Sequence, residues 1–296
     1  MNVAHELTVI IVSYNTQHEL RNCLKSLYNS KQSISFKVCV VDNNSSDSSP
    51  EMVASFFPQV ALLRSDANLG FAKANNLVLR NLDTQFALLL NPDTIVRDHA
   101  FDGTINFLRQ HPQAGMVTCK LVTGNGSLDL ACRRSFPTAF DGFCRAAGLS
   151  KLFPRSKLFA RYNLTYLDEN EISEVDAING AFMMVRSEAI RDVGLLDEDY
   201  FMYMEDLDWC FRFKQKKWVC FYVPTHTVIH LKGQSGKKYS TTMILQFFKA
   251  MEYFYRKNCI TKASPLAGTL TLIAIRLWKY ATLLANSIRP DKRVTP

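Results

Sequence analysis

The sequence predicts an α/β fold in which a largely parallel central sheet is flanked by helices. Short apolar runs of strand length alternate with stretches of helical periodicity from Leu7 to Cys119, the pattern of repeated β-α units. The runs are continuously apolar instead of alternating with polar residues, as expected for strands buried on both faces. Two of them end on a carboxylate: Val38-Cys39-Val40-Val41 runs into Asp42, and Phe86-Ala87-Leu88-Leu89-Leu90 runs into Asn91-Pro92-Asp93. In open α/β sheets the carboxyl edge of the strands is where ligands bind.

Taken in order, Leu7 to Val12 reads as the first strand, and Leu20, Leu24 and Leu27 mark one face of the helix that follows. Lys37 to Val41 is the second strand, Ser48 to Phe57 a helix opened by a serine, and Val60 to Leu63 a third strand. Phe71 to Leu82 is a helix, Phe86 to Leu90 a fourth strand, Ala100 to Leu108 a helix and Gly115 to Cys119 a further strand. Between Val122 and Asn170 the periodicity fails, broken by Gly124, Gly126, Pro137, Gly142, Gly148 and Pro154, so residues 122–170 form an irregular insert expected to face an acceptor. Order returns with an extended stretch from Val175 to Val185, helices at Ser187 to Val193 and near Met204 to Lys214, and the strand Trp218 to Val223. Ile244, Phe247, Phe248, Met251, Phe254 and Tyr255 then recur at helical spacing and are assigned to core packing.

A chain of 296 residues with 47% hydrophobic and 21% charged content is a folded protein with room for one large domain or two small ones. Its eight cysteines form no C-x-x-C pair, and Cys39 and Cys220 sit inside apolar runs, which fits small buried hydrophobes in a reducing, cytoplasmic compartment. The apolar run near the start is too short, and lacks the basic flank, for a signal peptide. The net charge is +8, but nine Lys/Arg against Glu252 and Asp291 lie between Lys249 and Pro296, so the basic character is local. That end also holds the charge-free run Ala263 to Ile275, shorter than the roughly 20 apolar residues of a membrane span. The expected division is a main domain over 1–258 and a basic, amphipathic segment over 259–296. That segment suits the inner face of a membrane better than nucleic acid; a helix packed on the core with ordinary solvated lysines is the alternative.

No P-loop, no dinucleotide-binding G-x-G-x-x-G, no G-x-S-x-G and no H-E-x-x-H is present, which disfavours nucleotide hydrolases and dinucleotide dehydrogenases. Asp42 can accept a hydrogen bond from the imide N–H of a pyrimidine base, and Asp93 is a hard oxygen ligand for a divalent ion carrying a diphosphate. Together they read as a nucleotide-sugar pocket, although either alone is also compatible with an ordinary turn or helix-capping role.

These residues, with others, carry a resemblance. The matching pieces are Val9-Ile10-Ile11-Val12-Ser13-Tyr14-Asn15, Val41-Asp42-Asn43-Asn44-Ser45, Asn68-Leu69-Gly70-Phe71-Ala72 with Asn75-Asn76, Leu90-Asn91-Pro92-Asp93, Gly180 to Arg186, Glu205-Asp206-Leu207-Asp208-Trp209 and Val228-Ile229-His230. Over roughly residues 7 to 255 the chain resembles family 2 glycosyltransferases of the GT-A fold, especially the bacterial rhamnosyltransferase-like branch, where Asn-Pro-Asp often replaces Asp-x-Asp.

The resemblance implies an inverting transfer of a sugar from a nucleoside diphosphate donor to a saccharide acceptor, such as one carried on a polyprenyl diphosphate, at the inner membrane surface. By it Ser13, Asn15 and Asp42 would hold the base, Asn68 and Gly70 would border the nucleotide, and Asn91 would approach the pentose. Asp93 and His230 would hold Mg²⁺ or Mn²⁺. Gly180, Glu205 and Asp206 would face the acceptor, with Asp206 as the base that takes its hydroxyl proton, although acids in a first helical turn also simply suit the positive helix end. An amide at Asn91 is compatible with the deoxyribose of dTDP-rhamnose, and a UDP-sugar stays open. Lys232-Gly233-Gln234-Ser235-Gly236 would form a flap behind His230. Two other classes are a non-catalytic polysaccharide- or membrane-binding relative and a sugar nucleotidyltransferase. The latter is disfavoured because Leu7 to Leu20 holds no glycine for a phosphate loop.

Overall fold

The computed structural model describes residues 5–231, 241–259 and 264–288. Strands β1 (Leu7–Ser13), β2 (Phe36–Asp42), β3 (Ala61–Arg64) and β4 (Phe86–Leu90) pair in parallel in the order β3-β2-β1-β4. Helices α1 (Gln17–Asn29), α2 (Ser49–Phe56) and α3 (Gly70–Leu79) make the crossovers. The apolar runs are as buried as their composition requires: every residue of β4 is buried, and α1 turns Leu20, Cys23, Leu24 and Leu27 inward. Each such Leu or Val contributes about 1.5–3 kcal/mol by leaving water.

Beyond β4 the expectation of a largely parallel sheet needs correction. After α4 (Ala100–Gln110), β6 (Ala114–Val122) runs parallel to β4, but β8 (Phe182–Arg186) lies between them and is antiparallel to both. The insert explains this. It leaves β6 at the carboxyl edge of the sheet and does not cross back through a helix, so the next central strand begins at that edge and runs down. The stretch Val175 to Val185 is likewise not continuous, since β7 (Ser173–Val175) and β8 are separate strands. Strand β9 (Val219–His230) is longer than its apolar run and pairs in parallel with β6, while β7 and the short β5 (Thr94–Ile95) flank it antiparallel.

Asp42, Asn91 to Asp93, the insert, Gly180 and His230 are thereby gathered at one carboxyl edge. Helices α7 (Ser187–Val193) and α8 (Glu205–Gln215) follow β8, and α9 (Thr241–Asn258) buries Ile244, Phe248, Ala250 and Phe254. Helix α10 (Pro265–Ile288) packs on α9 through Ile275. Among the described residues no helix is long and apolar enough to cross a membrane.

Gly70 has a structural role that the sequence did not disclose. Its φ is +77°, and a Cβ there would lie 2.1 Å from the Phe201 carbonyl oxygen, which accepts a hydrogen bond from Phe71 N at 2.8 Å. Only glycine lets the two loops approach so closely.

Candidate active site

The β2 end forms one wall. Asp42 is buried; its Oδ2 accepts from Ser45 N at 3.0 Å, while its Oδ1 is buried with no hydrogen-bond partner. An orphaned carboxylate oxygen is costly unless a ligand completes it. Asn43 links this strand end to the next loop, donating to Gly70 O at 2.9 Å and accepting from Leu69 N at 3.3 Å. Asn68 Oδ1 accepts from Gly70 N at 3.0 Å.

Ser13 pairs in register with Asp42, and Asn15 is tied through its Oδ1 to the loop that follows Asp42. The fully buried Ser13 hydroxyl bonds Thr16 Oγ1 at 2.9 Å, and Asn15, at φ +52°, accepts from Ser46 N at 2.7 Å and Asp47 N at 3.3 Å. They shape the wall that carries Asp42. Gly180 packs against Phe71, whose ring tip would be 2.8 Å from a Cβ at that position.

The second wall is the turn after β4. Asn91 N donates to Ala181 O at 3.1 Å, and its carbonyl accepts from Thr94 Oγ1 at 2.8 Å, which fixes the Asn-Pro-Asp turn. The Asn91 side-chain amide makes no hydrogen bond to the described residues. The β5–β9 register places Thr94 opposite His230, so Asp93 meets the end of β9: its Oδ1 lies 3.3 Å from His230 Nε2. That oxygen is buried and has no aligned hydrogen bond, so the contact is one of charge and proximity.

On the other side of the ring, His230 Nδ1 is 2.8 Å from Asp129 Oδ2, and Asp129 Oδ1 accepts from Ala131 N at 2.9 Å. Burial opposes the imidazolium, but the Asp129 and Asp93 carboxylates prevail and push His230 up to about 9. Asp129 escaped the sequence reading because it sits in the aperiodic insert, 101 residues from its partner.

Asp93 and His230 fit a divalent ion. They present a buried, unpartnered carboxylate oxygen and a ring nitrogen toward each other, and the carboxylate on the far nitrogen is the arrangement that orients metal-binding histidines. A mixed oxygen and imidazole set suits Mn²⁺ better than Mg²⁺. Among the described residues no group of three or more His, Cys, Asp or Glu is placed to hold a metal ion by itself. Lys232 to Gly236, the expected flap, lie outside the described residues.

The third wall is the start of α8, where the acidic cluster divides into three environments. Asp208 is fully buried and structural, bonded to Arg212 Nε at 2.8 Å, Asn258 Nδ2 at 2.9 Å and Lys257 Nζ at 2.8 Å. Asp206 is paired with Arg134 at 2.6 Å and accepts from Leu207 N at 2.7 Å. Arg134 is itself clamped: its backbone exchanges hydrogen bonds with Ala177, and its guanidinium donates to Ile178 O at 2.9 Å. Burial opposes its charge, but the Asp206 carboxylate more than compensates and pushes it up.

Glu205 corrects an expectation. It is no solvated helix-end charge; burial, and then the neighbouring Asp206, push it up to about 8, and its Oε2 is buried with no hydrogen bond. Arg134 was also missed by sequence, since nothing local ties it to a residue 72 positions away.

The Glycosyl transferase family 2 model matches residues 8–194. The N-acetylglucosaminyl-diphospho-decaprenol L-rhamnosyltransferase of Mycobacterium tuberculosis is 29% identical over 240 residues, 77% of either chain. Rhamnosyltransferase WbbL of Escherichia coli is 24% identical over 264 residues, 86% of this chain and 94% of that one. Among solved structures, the mannosyltransferase PcManGT from Pyrobaculum calidifontis in complex with GDP-Man and Mn²⁺ superposes with a TM-score of 0.59 at 17% identity, covering 97% of this chain and 76% of that one. S. aureus TarS 1–349 in complex with UDP gives 0.52 at 15% identity, covering 91% and 70%. At these identities the structural likeness is one of fold.

Proposed function

The chain belongs to glycosyl transferase family 2, a family of inverting glycosyltransferases, and from that premise we propose that it moves rhamnose from dTDP-rhamnose, or another hexose from its nucleoside diphosphate, to a polyprenyl-diphosphate-linked saccharide in bacterial surface polysaccharide synthesis. The observation that carries this reading is the buried Asp93 Oδ1, free of any hydrogen bond and facing His230 Nε2 at 3.3 Å, on the same sheet edge as the unpartnered Asp42 Oδ1, with β1 between their strands. The rhamnosyltransferases that align over most of the chain support the sugar and the lipid carrier.

In this reading Asp42 receives the base imide N–H, while Asn68 and Gly70 hold the loop beside it. Asn91 faces the pentose, and Asp93 and His230 hold Mn²⁺ or Mg²⁺ near the diphosphate. When bound, the ion supplies positive charge that offsets the leaving diphosphate. Asp206 takes the acceptor hydroxyl proton as the new C1–O bond forms; the C1–O bond to the diphosphate breaks, and its electron pair leaves with the diphosphate. Arg134, 2.6 Å from Asp206 Oδ2, holds that carboxylate in place for this step. Gly180 and Glu205 stand on the acceptor side.

Residues 1–258 form the catalytic unit in this reading, and 259–296 the segment that holds it at the inner face of the plasma membrane. Helix α10 contains no acidic residue. Opposite its packed face it exposes Leu266, Leu270, Ile273, Leu277, Tyr280, Leu284 and Ile288, which recur every three or four positions along a single stripe. The packed-helix alternative is thus compatible with an interfacial one. The basic residues Arg289, Lys292 and Arg293 lie outside the described residues. Leu270→Glu combined with Leu277→Glu should lower binding to phosphatidylglycerol vesicles in a sedimentation assay while leaving donor hydrolysis unchanged; unaltered binding would leave α10 no membrane role.

A thermal-shift screen tests the donor. The melting point should rise with dTDP- or UDP-sugars in the presence of Mn²⁺ and stay flat with the same sugars in EDTA. A shift indifferent to the ion would remove the metal from the reading.

A further inference from the structure

The insert carries a surface that the catalytic reading leaves unused. Helix α5 (Ala139–Ala146) and helix α6 (Leu149–Leu152) project from the sheet and expose Phe140, Phe143, Leu152, Phe153 and Leu158, with Leu152 69% and Phe143 59% accessible. The rings form one patch: Phe140 contacts Phe143 and Phe159 at 6.4 Å, and Phe153 contacts Phe159 at 5.4 Å. Large exposed apolar residues grouped in this way mark an interaction surface.

The same stretch is basic. Arg145, Lys151, Arg155 and Lys157 are exposed and have no acidic partner among the described residues. The acid between residues 138 and 167, Asp141, is spent internally, closing a capping box with Thr138 and pairing with Arg161 at 2.5 Å. The patch is also fastened to the acceptor side of the site. Arg133 anchors the insert through Asp168 O at 2.7 Å and Leu167 O at 2.8 Å, and its neighbour Arg134 is bonded to Asp206.

We propose that the α5–α6 surface docks the protein on an anionic lipid bilayer, with Phe143 and Leu152 entering the headgroup region and the four free cations meeting lipid phosphates. The inference rests on the reading of a lipid-linked acceptor and deepens it, because a contact bonded through Arg134 to the proposed base sets the height of that base above the membrane. Aliphatic side chains as open as Leu152 and Leu158 serve no purpose against a nucleic-acid backbone, and in a twofold contact between copies the four cations would face their own kind. Mixed apolar and basic surface is what an anionic interface attracts.

The test is vesicle sedimentation of the full chain on phosphatidylglycerol against phosphatidylcholine. Wild type should bind the anionic vesicles and release as salt rises. A variant with Arg145, Lys151, Arg155 and Lys157 all changed to Gln should bind on the order of 10²–10³-fold more weakly, and Phe143→Ser with Leu152→Ser should also lose binding, both with unchanged melting points. Wild-type affinity in either variant overturns the proposal. So does a wild-type dimer in light scattering that Phe143→Ser with Leu152→Ser converts to a monomer. Transfer to a short-chain, water-soluble acceptor is read separately and should be equal in wild type and variants. If transfer is absent from all, the acceptor reading fails, while the vesicle result still decides the surface.

Discussion

Asp206→Asn should reduce turnover by roughly 10²–10⁴-fold, the contribution of a positioned general base, with donor affinity little changed. The substitution keeps size and shape but removes the oxygen that takes the proton. The carboxylate is prepared for that task by Arg134, 2.6 Å away and pinned from behind through Ala177 and Ile178.

Glu205→Gln is the informative companion. Burial and the Asp206 charge hold Glu205 up to about 8, so near neutral pH it is mostly the protonated acid, which an amide imitates. Activity there should be nearly preserved. The stability consequence has a definite sign: a buried acid whose folded pKa lies above its unfolded value destabilises the fold progressively as pH climbs from about 4.5 toward 8. The melting point of Glu205→Gln should therefore gain on wild type across that window. If Glu205→Gln is inactive and Asp206→Asn is active, the roles are reversed and the base is Glu205.

Asp93→Ala is expected to have the second largest effect. Losing the outer partner of a metal-binding histidine typically costs about 10–100-fold in metal affinity, and Asp129→Asn, which unseats the 2.8 Å contact to His230 Nδ1, should fall in that range. Removing Asp93 itself should cost more. Calorimetric titration of dTDP or UDP should show the loss with Mn²⁺ present and little difference from wild type in EDTA. Equal weakening in both buffers would make Asp93 a structural residue of the Asn-Pro-Asp turn.

The parts of this architecture that were legible in the sequence are those written in local patterns. The continuous apolar runs became β1 and β4, and a carboxylate after such a run could only emerge at the sheet edge. The acidic cluster Glu205 to Asp208 was legible as a motif, but the three different environments of its acids were not. What was not legible depends on contacts far apart in sequence. The antiparallel β8 follows from where the insert releases the chain, and Asp129 and Arg134 lie in that insert, where no periodicity points to His230 or Asp206. Gly70 matched a motif, yet the demand for glycine there comes from the Phe201 carbonyl, which only the folded loop brings near. Burial of Glu205 is equally invisible to a helical wheel, which assigns acids in a first turn to the helix dipole.

The central claim is a single displacement at C1, driven by a hydroxyl that Asp206 deprotonates. The most direct measurement is the anomeric configuration, by NMR, of the product formed from dTDP-rhamnose and a polyprenyl-diphosphate-linked saccharide in the presence of Mn²⁺. The account predicts a glycosidic bond inverted relative to the donor, formed by wild type and lost in Asp206→Asn. A product of retained configuration would require two displacements and would contradict it.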